Sequence, residues 1–237
     1  MSNSNKPVRN FNRRTANEYH WFRTLFYMTF VFTVVYPFFL IFYNFKIQGR
    51  ENIPPRKAKQ GKYMYAANHV SVLDPPLVSM AALCPIAYMA KKELFEKTEK
   101  LNWIIKRLGA FAVDRTKPEI ATFKTVRDII GTTWSLGIFP QGGTRPYGKL
   151  EDIKKGFVVI AKAAKADVVP VAIADWNGYP SVFPFKRRTV NIKIGKPISW
   201  ELEDDVIVYE WSKQISELAN YENCVPIPES YKETAQV

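Results

Sequence analysis

From Thr24 to Phe45 no position carries a charge: the run reads TLFYMTFVFTVVYPFFLIFYNF. As a helix it is long enough to span a hydrocarbon core of about 30 Å. It is too long for the apolar region of a cleaved signal peptide, and no small-residue cleavage site follows it. The run has no polar stripe, which argues against a core helix of a soluble domain. Pro37 lies inside it and would kink the helix or start a second one. Basic residues flank both ends, with Arg13, Arg14 and Arg23 before and Lys46, Arg50, Arg56, Lys57, Lys59 and Lys62 after. A simple span carries its positive cluster on one side only. The pattern therefore predicts a bent segment that enters and leaves one leaflet, with Trp21, Tyr27, Tyr36 and Tyr43 at interfacial depth. A single transmembrane helix is the alternative. The implied organisation is a basic, flexible leader over 1–19, a membrane-inserted helical segment over 20–45 and an α/β domain over 46–237.

After this segment, short apolar runs alternate with helical periodicities. Tyr63 to Ala67, Ile86 to Met89, Ala110 to Val113, Ser135 to Phe139 and Val168 to Ile173 read as strands. Thr189 to Ile194 is an alternating strand ended by Gly195-Lys196-Pro197. Helices are predicted from Pro75-Pro76 onward, over Leu101 to Leu108, Pro118 to Ile130, Ile153 to Ala166 and Val206 to Ala219. Pro118 falls in a first turn and Gly131 just past an end. Strand–helix alternation of this kind predicts an α/β sheet covered by helices.

Composition narrows the partners. The net charge of +12 over 237 residues favours anionic ligands. Nucleic acid is excluded as a reading, because there is neither zinc-ligand spacing nor a basic helix interleaved with stacking aromatics. Cys84 and Cys224 are far apart and suggest unpaired thiols rather than a disulfide framework.

The chemistry concentrates in Asn68-His69-Val70-Ser71-Val72-Leu73-Asp74. Of the two histidines, His20 sits in the basic leader. His69 follows a strand and precedes a helix start, where α/β folds place ligand chemistry. An Asp a short turn away can hold one ring nitrogen and leave the other free to take a proton from a hydroxyl. The same spacing also suits a structural pair that caps a helix. Ser71 and Ser79 are not in a nucleophile elbow.

Three further blocks follow in order. They are Gly109-Ala110-Phe111-Ala112-Val113-Asp114-Arg115, Phe139-Pro140-Gln141-Gly142-Gly143-Thr144-Arg145, and Val168-Val169-Pro170-Val171-Ala172-Ile173. With the Asn68-His69…Asp74 block they resemble the glycerolipid acyltransferases, the 1-acylglycerol-3-phosphate acyltransferase family. Its pattern runs Asn-His-x4-Asp, Gly-x-x-Phe-x-Asp-Arg, Phe-Pro-Glu-Gly-Thr-Arg and an apolar Val-Pro block. Lys91-Lys92-Glu93-Leu94-Phe95 and Lys155-Gly156 are smaller echoes. The likeness covers roughly Phe45 to Pro197.

The resemblance implies a single acyltransferase domain with a mixed sheet flanked by helices, preceded by the kinked membrane-embedded segment. It implies that His69 is the general base, oriented by Asp74, and that Arg115 and Arg145 hold the acceptor's phosphate. Gly142, Gly143 and Thr144 would complete the phosphate site, with Asn68, Gln141 and Pro170 in support. The acceptor would be lysophosphatidic acid and the donor acyl-CoA or an acylated carrier protein, with no metal and no other cofactor. The enzyme would sit at the cell membrane among its lipids, with the catalytic domain facing the cytosol. One departure stands out: Gln141 replaces the family's carboxylate, and an extra glycine follows it. This leaves open another acceptor, such as a different lysophospholipid or glycerol-3-phosphate. A hydrolase using water and a membrane-binding protein without catalysis are the remaining alternatives.

Overall fold

The computed structural model of the protein describes residues 13–53, 63–113, 120–176 and 187–234. In chain order they form helices α1 (Trp21–Phe30) and α2 (Tyr36–Phe42), then strands β1 (Tyr43–Gln48) and β2 (Tyr63–Ala67). Next come α3 (Asp74–Ala82), β3 (Ile86–Lys91), α4 (Lys92–Glu96), α5 (Glu99–Arg107), β4 (Phe111–Val113), α6 (Ile120–Ile130) and β5 (Ser135–Ile138). The chain continues through β6 (Lys149–Leu150), α7 (Gly156–Ala164), β7 (Asp167–Ala174) and β8 (Arg188–Ile194). It ends in α8 (Asp204–Ala219), β9 (Glu222–Asn223) and α9 (Glu229–Thr234).

Seven strands build one mixed sheet in the order β1-β8-β7-β2-β5-β3-β4. All neighbours are parallel except β7 and β8, which run antiparallel. Strands β2 and β7 read as unbroken apolar runs because both faces are covered, and Met64 to Ala67 and Val168 to Ala174 are buried throughout. Right-handed crossovers decide which helix lies where. The β2-to-β3 connection moves along the sheet one way and places α3 on one face. The β4-to-β5 and β5-to-β7 connections move the other way and place α6 and α7 on the opposite face, where they pack side by side with α8 beyond. Strands β2, β3, β4, β5 and β7 all point one way, so their C-terminal ends share one edge.

Pro170 sits within β7, opposite Ala66 of β2. Its carbonyl accepts from Gly195 N–H at 2.9 Å. A residue's N–H and C=O point to the same side of a strand, so the missing N–H faces the point where β8 has ended.

The N-terminal run is one helical stretch, Trp21–Phe42, interrupted by a π turn over Val31–Val35, where Tyr36 N–H bonds back to Val31 C=O. The interruption falls just before Pro37, which cannot donate a helical hydrogen bond. Tyr27, Val31, Val35 and Phe39 are buried against the domain, while Phe22, Leu25, Phe26, Phe32, Val34, Leu40 and Ile41 are exposed. A four-residue spacing drifts by about 40° per step on a regular helix. The wider π turn takes up part of that drift and keeps the stripe on one side.

Two differences from the sequence reading have clear causes. The helix ends at Phe42, and Tyr43 to Phe45 belong to β1, paired with β8. An uninterrupted apolar run carries no period to mark that boundary. Residues 13–19, read as leader, are packed on the domain: Arg14 and Tyr19 are buried. The Arg14 guanidinium meets Glu18 at 3.0 Å and the Lys106 carbonyl at 3.1 Å. Tyr19 stacks edge-on against Trp134. The rest of the leader, 1–12, lies outside the described residues.

Candidate active site

Strand β2 ends at Ala67, and the chain turns through Asn68 and His69 into α3. Asn68 is fully buried and fixes that turn. Its amide accepts from Ile173 N–H at 2.7 Å and donates to the Ile173 carbonyl at 2.9 Å and to Tyr221 Oη at 3.2 Å. Asp74 opens α3, followed by Pro75 and Pro76, whose missing N–H groups are not needed in a first turn. Its Oδ2 accepts from Val70 N–H at 2.7 Å and Ser71 N–H at 2.9 Å, and lies 2.6 Å from His69 Nδ1. The carboxylate caps no N–H of α3; the same oxygen that faces His69 instead holds the loop that carries it.

Asp74 is fully buried, and that burial raises its proton affinity above the ordinary carboxylate value despite the His69 ring and the two amides that lower it. His69 Nδ1 facing a carboxylate carries the proton, so Nε2 keeps its lone pair. The ring is stacked on Phe139, with centroids 4.1 Å apart, and Tyr88 also stacks on Phe139. The sequence alone gives neither aromatic a role in the site. Phe139 stood inside a quoted motif, but only the fold shows that it fixes the imidazole plane.

The turn after β5 joins the same edge. Arg145 N–H donates to the His69 carbonyl at 2.7 Å, and His69 N–H donates to Gln141 Oε1 at 3.2 Å. Two hydrogen bonds thus clip the two loops together. Gly142 has φ +72°, a conformation that side chains rarely adopt, and its N–H closes a turn on the Phe139 carbonyl at 2.9 Å. A Cβ on Gly143 would meet nothing within 4 Å, so its backbone is open to a ligand. Thr144 is exposed. The Arg145 guanidinium lies 3.5 Å from Asp152 Oδ2. Arg115 and its neighbour Asp114 lie outside the described residues. The structure thus brings His69, Asp74, Asn68, Gln141, Gly142, Gly143 and Arg145 to one edge, while Pro170 is a strand residue beside it.

A cavity of about 670 Å³ opens at this turn. Gln141, Gly142, Gly143, Arg145, Lys154 and Lys91 line it together with the apolar Met89, Val113, Ile138, Phe157 and Ile160. Such a space suits an amphipathic molecule with an anionic head. Lys154 carried no motif signal and is recognised only through the fold. Among the described residues no cluster of His, Cys, Asp and Glu could hold a metal ion.

Comparison with known proteins identifies the family. The family model described as Acyltransferase matches residues 44–174. The 1-acyl-sn-glycerol-3-phosphate acyltransferase of Bacillus subtilis is 34% identical over 65% of this chain and 73% of its own length. The enzyme of the same name from Streptococcus pneumoniae is 31% identical over 57% of this chain and 50% of its own length. The crystal structure of the 1-acyl-sn-glycerophosphate (LPA) acyltransferase from Thermotoga maritima has the same fold. Its TM-score is 0.59 at 24% identity, over 82% of this chain and 77% of that one. The chain belongs to the acyltransferase family.

Proposed function

We propose that this member of the acyltransferase family moves a fatty acyl chain from a thioester to the free hydroxyl of 1-acylglycerol-3-phosphate, giving phosphatidic acid. The observation that carries this reading is the His69–Asp74 pair, 2.6 Å apart and clipped to the Gly142–Arg145 turn. The shared activity of the relatives supports it. His69 Nε2 takes the proton of the acceptor hydroxyl as its oxygen attacks the thioester carbonyl. Asp74 stabilises the imidazolium. The tetrahedral intermediate collapses, the carbon–sulfur bond breaks, and the departing thiolate takes the proton from His69. Arg145 and the open backbone at Gly143 hold the acceptor's phosphate, because a guanidinium stays charged and matches phosphate oxygens. Arg115 shares that task. The donor is acyl-CoA or an acylated carrier protein, and the reaction so written needs no metal or other cofactor.

The exposed apolar face of the N-terminal helix docks the enzyme on the membrane that holds its acceptor. That helix packs along its length on the domain, which favours insertion into one leaflet over a span. Residues 1–19 and the catalytic domain then both lie in the cytosol, where thioester donors are found. A cysteine placed near residue 5 should resist an impermeant thiol reagent applied outside intact cells. Labelling would show that the N-terminus crosses the membrane. For the activity itself, purified protein with labelled acyl thioester should form phosphatidic acid only when lysophosphatidic acid is added. Release of free fatty acid without acceptor would mean a hydrolase.

A further inference from the structure

Tyr88 lies on β3, two strands away from β2, yet it touches the supports of both His69 and Asp74. Its register partner on β5 is Gly137. A Cβ at Gly137 would come within 2.6 Å of the Tyr88 ring carbons, so the missing side chain makes the room that the ring fills. The Tyr88 ring stacks on Phe139 with centroids 5.9 Å apart and 12° between planes, and Phe139 stacks on His69. The hydroxyl of the same buried residue reaches a different element, α3. It donates at 2.8 Å to the carbonyl of Pro75, the residue after Asp74. Ser79 Oγ, one turn along α3, donates to that carbonyl at 2.8 Å and lies 3.1 Å from Tyr88 Oη. A buried tyrosine hydroxyl needs such a partner, and here the partner is the first turn of the helix that Asp74 opens.

We propose that Tyr88 is a positioning residue for acyl transfer, bracing His69 through Phe139 and the Asp74 turn through the Pro75 carbonyl. This rests on the general-base reading of His69 given above and adds to it the side chain that holds the two partners in one relation. Tyr88 does not line the cavity, whereas Phe139 does. Part of the Phe139 ring is therefore open to a ligand, and its support has to come from the protein side. Tyr88 supplies that support. Without it the imidazole can tilt with Phe139 while α3 shifts separately, and the bond between Nδ1 and Asp74 Oδ2 no longer fixes where Nε2 points. A misplacement of about 1 Å at a reacting group can cost on the order of a hundredfold in rate.

Two substitutions in the full-length, detergent-solubilised protein separate the halves of the side chain. Tyr88→Leu removes ring and hydroxyl together. It should lower kcat for phosphatidic acid formation about ten- to hundredfold and leave KM for lysophosphatidic acid nearly unchanged. Tyr88→Phe keeps the ring, and its kcat should lie between those of Tyr88→Leu and the native protein. Tyr27→Phe is the control for general loosening. It loses a bond to the same Ser79 but touches neither the stack nor the Pro75 carbonyl, and should keep the native kcat. Magnetic resonance of isotopically labelled histidine gives a readout without turnover, because the chain has two histidines and His69→Ala identifies their signals. Native His69 should show one tautomer with the proton on Nδ1. In Tyr88→Leu its two nitrogen resonances should move toward each other as the tautomers mix. A native-like kcat or an unchanged His69 spectrum in Tyr88→Leu would overturn the proposal, as would an equal loss in Tyr27→Phe. Should Tyr88→Leu not fold, Tyr88→Phe decides, and a native kcat there overturns it. Absence of phosphatidic acid formation by the native protein would instead refute the acceptor assignment and leave the resonance comparison to judge Tyr88.

Discussion

The two loops that meet at the strand edge are built on opposite principles. At the end of β2 the polar groups are held from within, Asp74 Oδ1 excepted: Asp74 Oδ2 faces three hydrogen-bond partners, and Asn68 is held by both ends of its amide. At the end of β5 the turn is shaped from within but left open to a ligand. Gly143 has empty space where a side chain would be, and Thr144 is exposed. The difference teaches how to separate chemistry from binding. A proton-transfer group must be held in one tautomer and one plane before substrate arrives. A phosphate site must keep donors free for the phosphate.

If the comparison is right, variants in the two loops fail differently. His69→Ala removes the base and should lower kcat on the order of 10²–10⁴-fold in an acyl-transfer assay. Asp74→Asn should cost as much, because an amide that retains the Val70 and Ser71 N–H bonds through its oxygen no longer supplies a carboxylate to His69 Nδ1. Native-like turnover in either would dissolve the assignment of chemistry to β2. Arg145→Ala should leave the His69 clip in place, since that bond is made by the backbone, and mainly raise KM for lysophosphatidic acid. A charge-assisted bond of about 1.5–3 kcal/mol corresponds to roughly ten- to hundredfold. The smallest effect belongs to a residue outside both loops. Tyr27→Phe removes the hydroxyl that donates to Ser79 Oγ at 2.5 Å. It should lower stability in a denaturant titration by about 0.5–1.5 kcal/mol and leave both kinetic constants nearly unchanged.

Much of this division is legible in the chain. The apolar runs that became β2, β3, β5 and β7 stand out because buried parallel strands need no polar alternation. His69 and Asp74 stand out because a histidine at a strand end with a carboxylate one turn away has few common uses. Other features depend on pairing that no local pattern carries. Strand β1 is hidden inside an apolar run whose first part is helix, and its strand character comes from β8, far along the sequence. The short β6 and β9 exist only because they pair with each other. The clip between Arg145 N–H and the His69 carbonyl is a backbone contact between distant residues and has no side-chain signature. Gln141 is visible in the sequence as a departure from the family pattern. That its oxygen accepts from His69 N–H is a matter of three-dimensional placement alone.

The most direct test varies lysophosphatidic acid at saturating acyl thioester and determines kcat and KM for native protein, His69→Ala and Arg145→Ala side by side. The account predicts that His69→Ala loses kcat with KM little changed, and that Arg145→Ala loses KM with kcat largely kept. If His69→Ala kept its kcat, or if both variants lost the same constant, the division between a chemical loop and a binding loop would be contradicted.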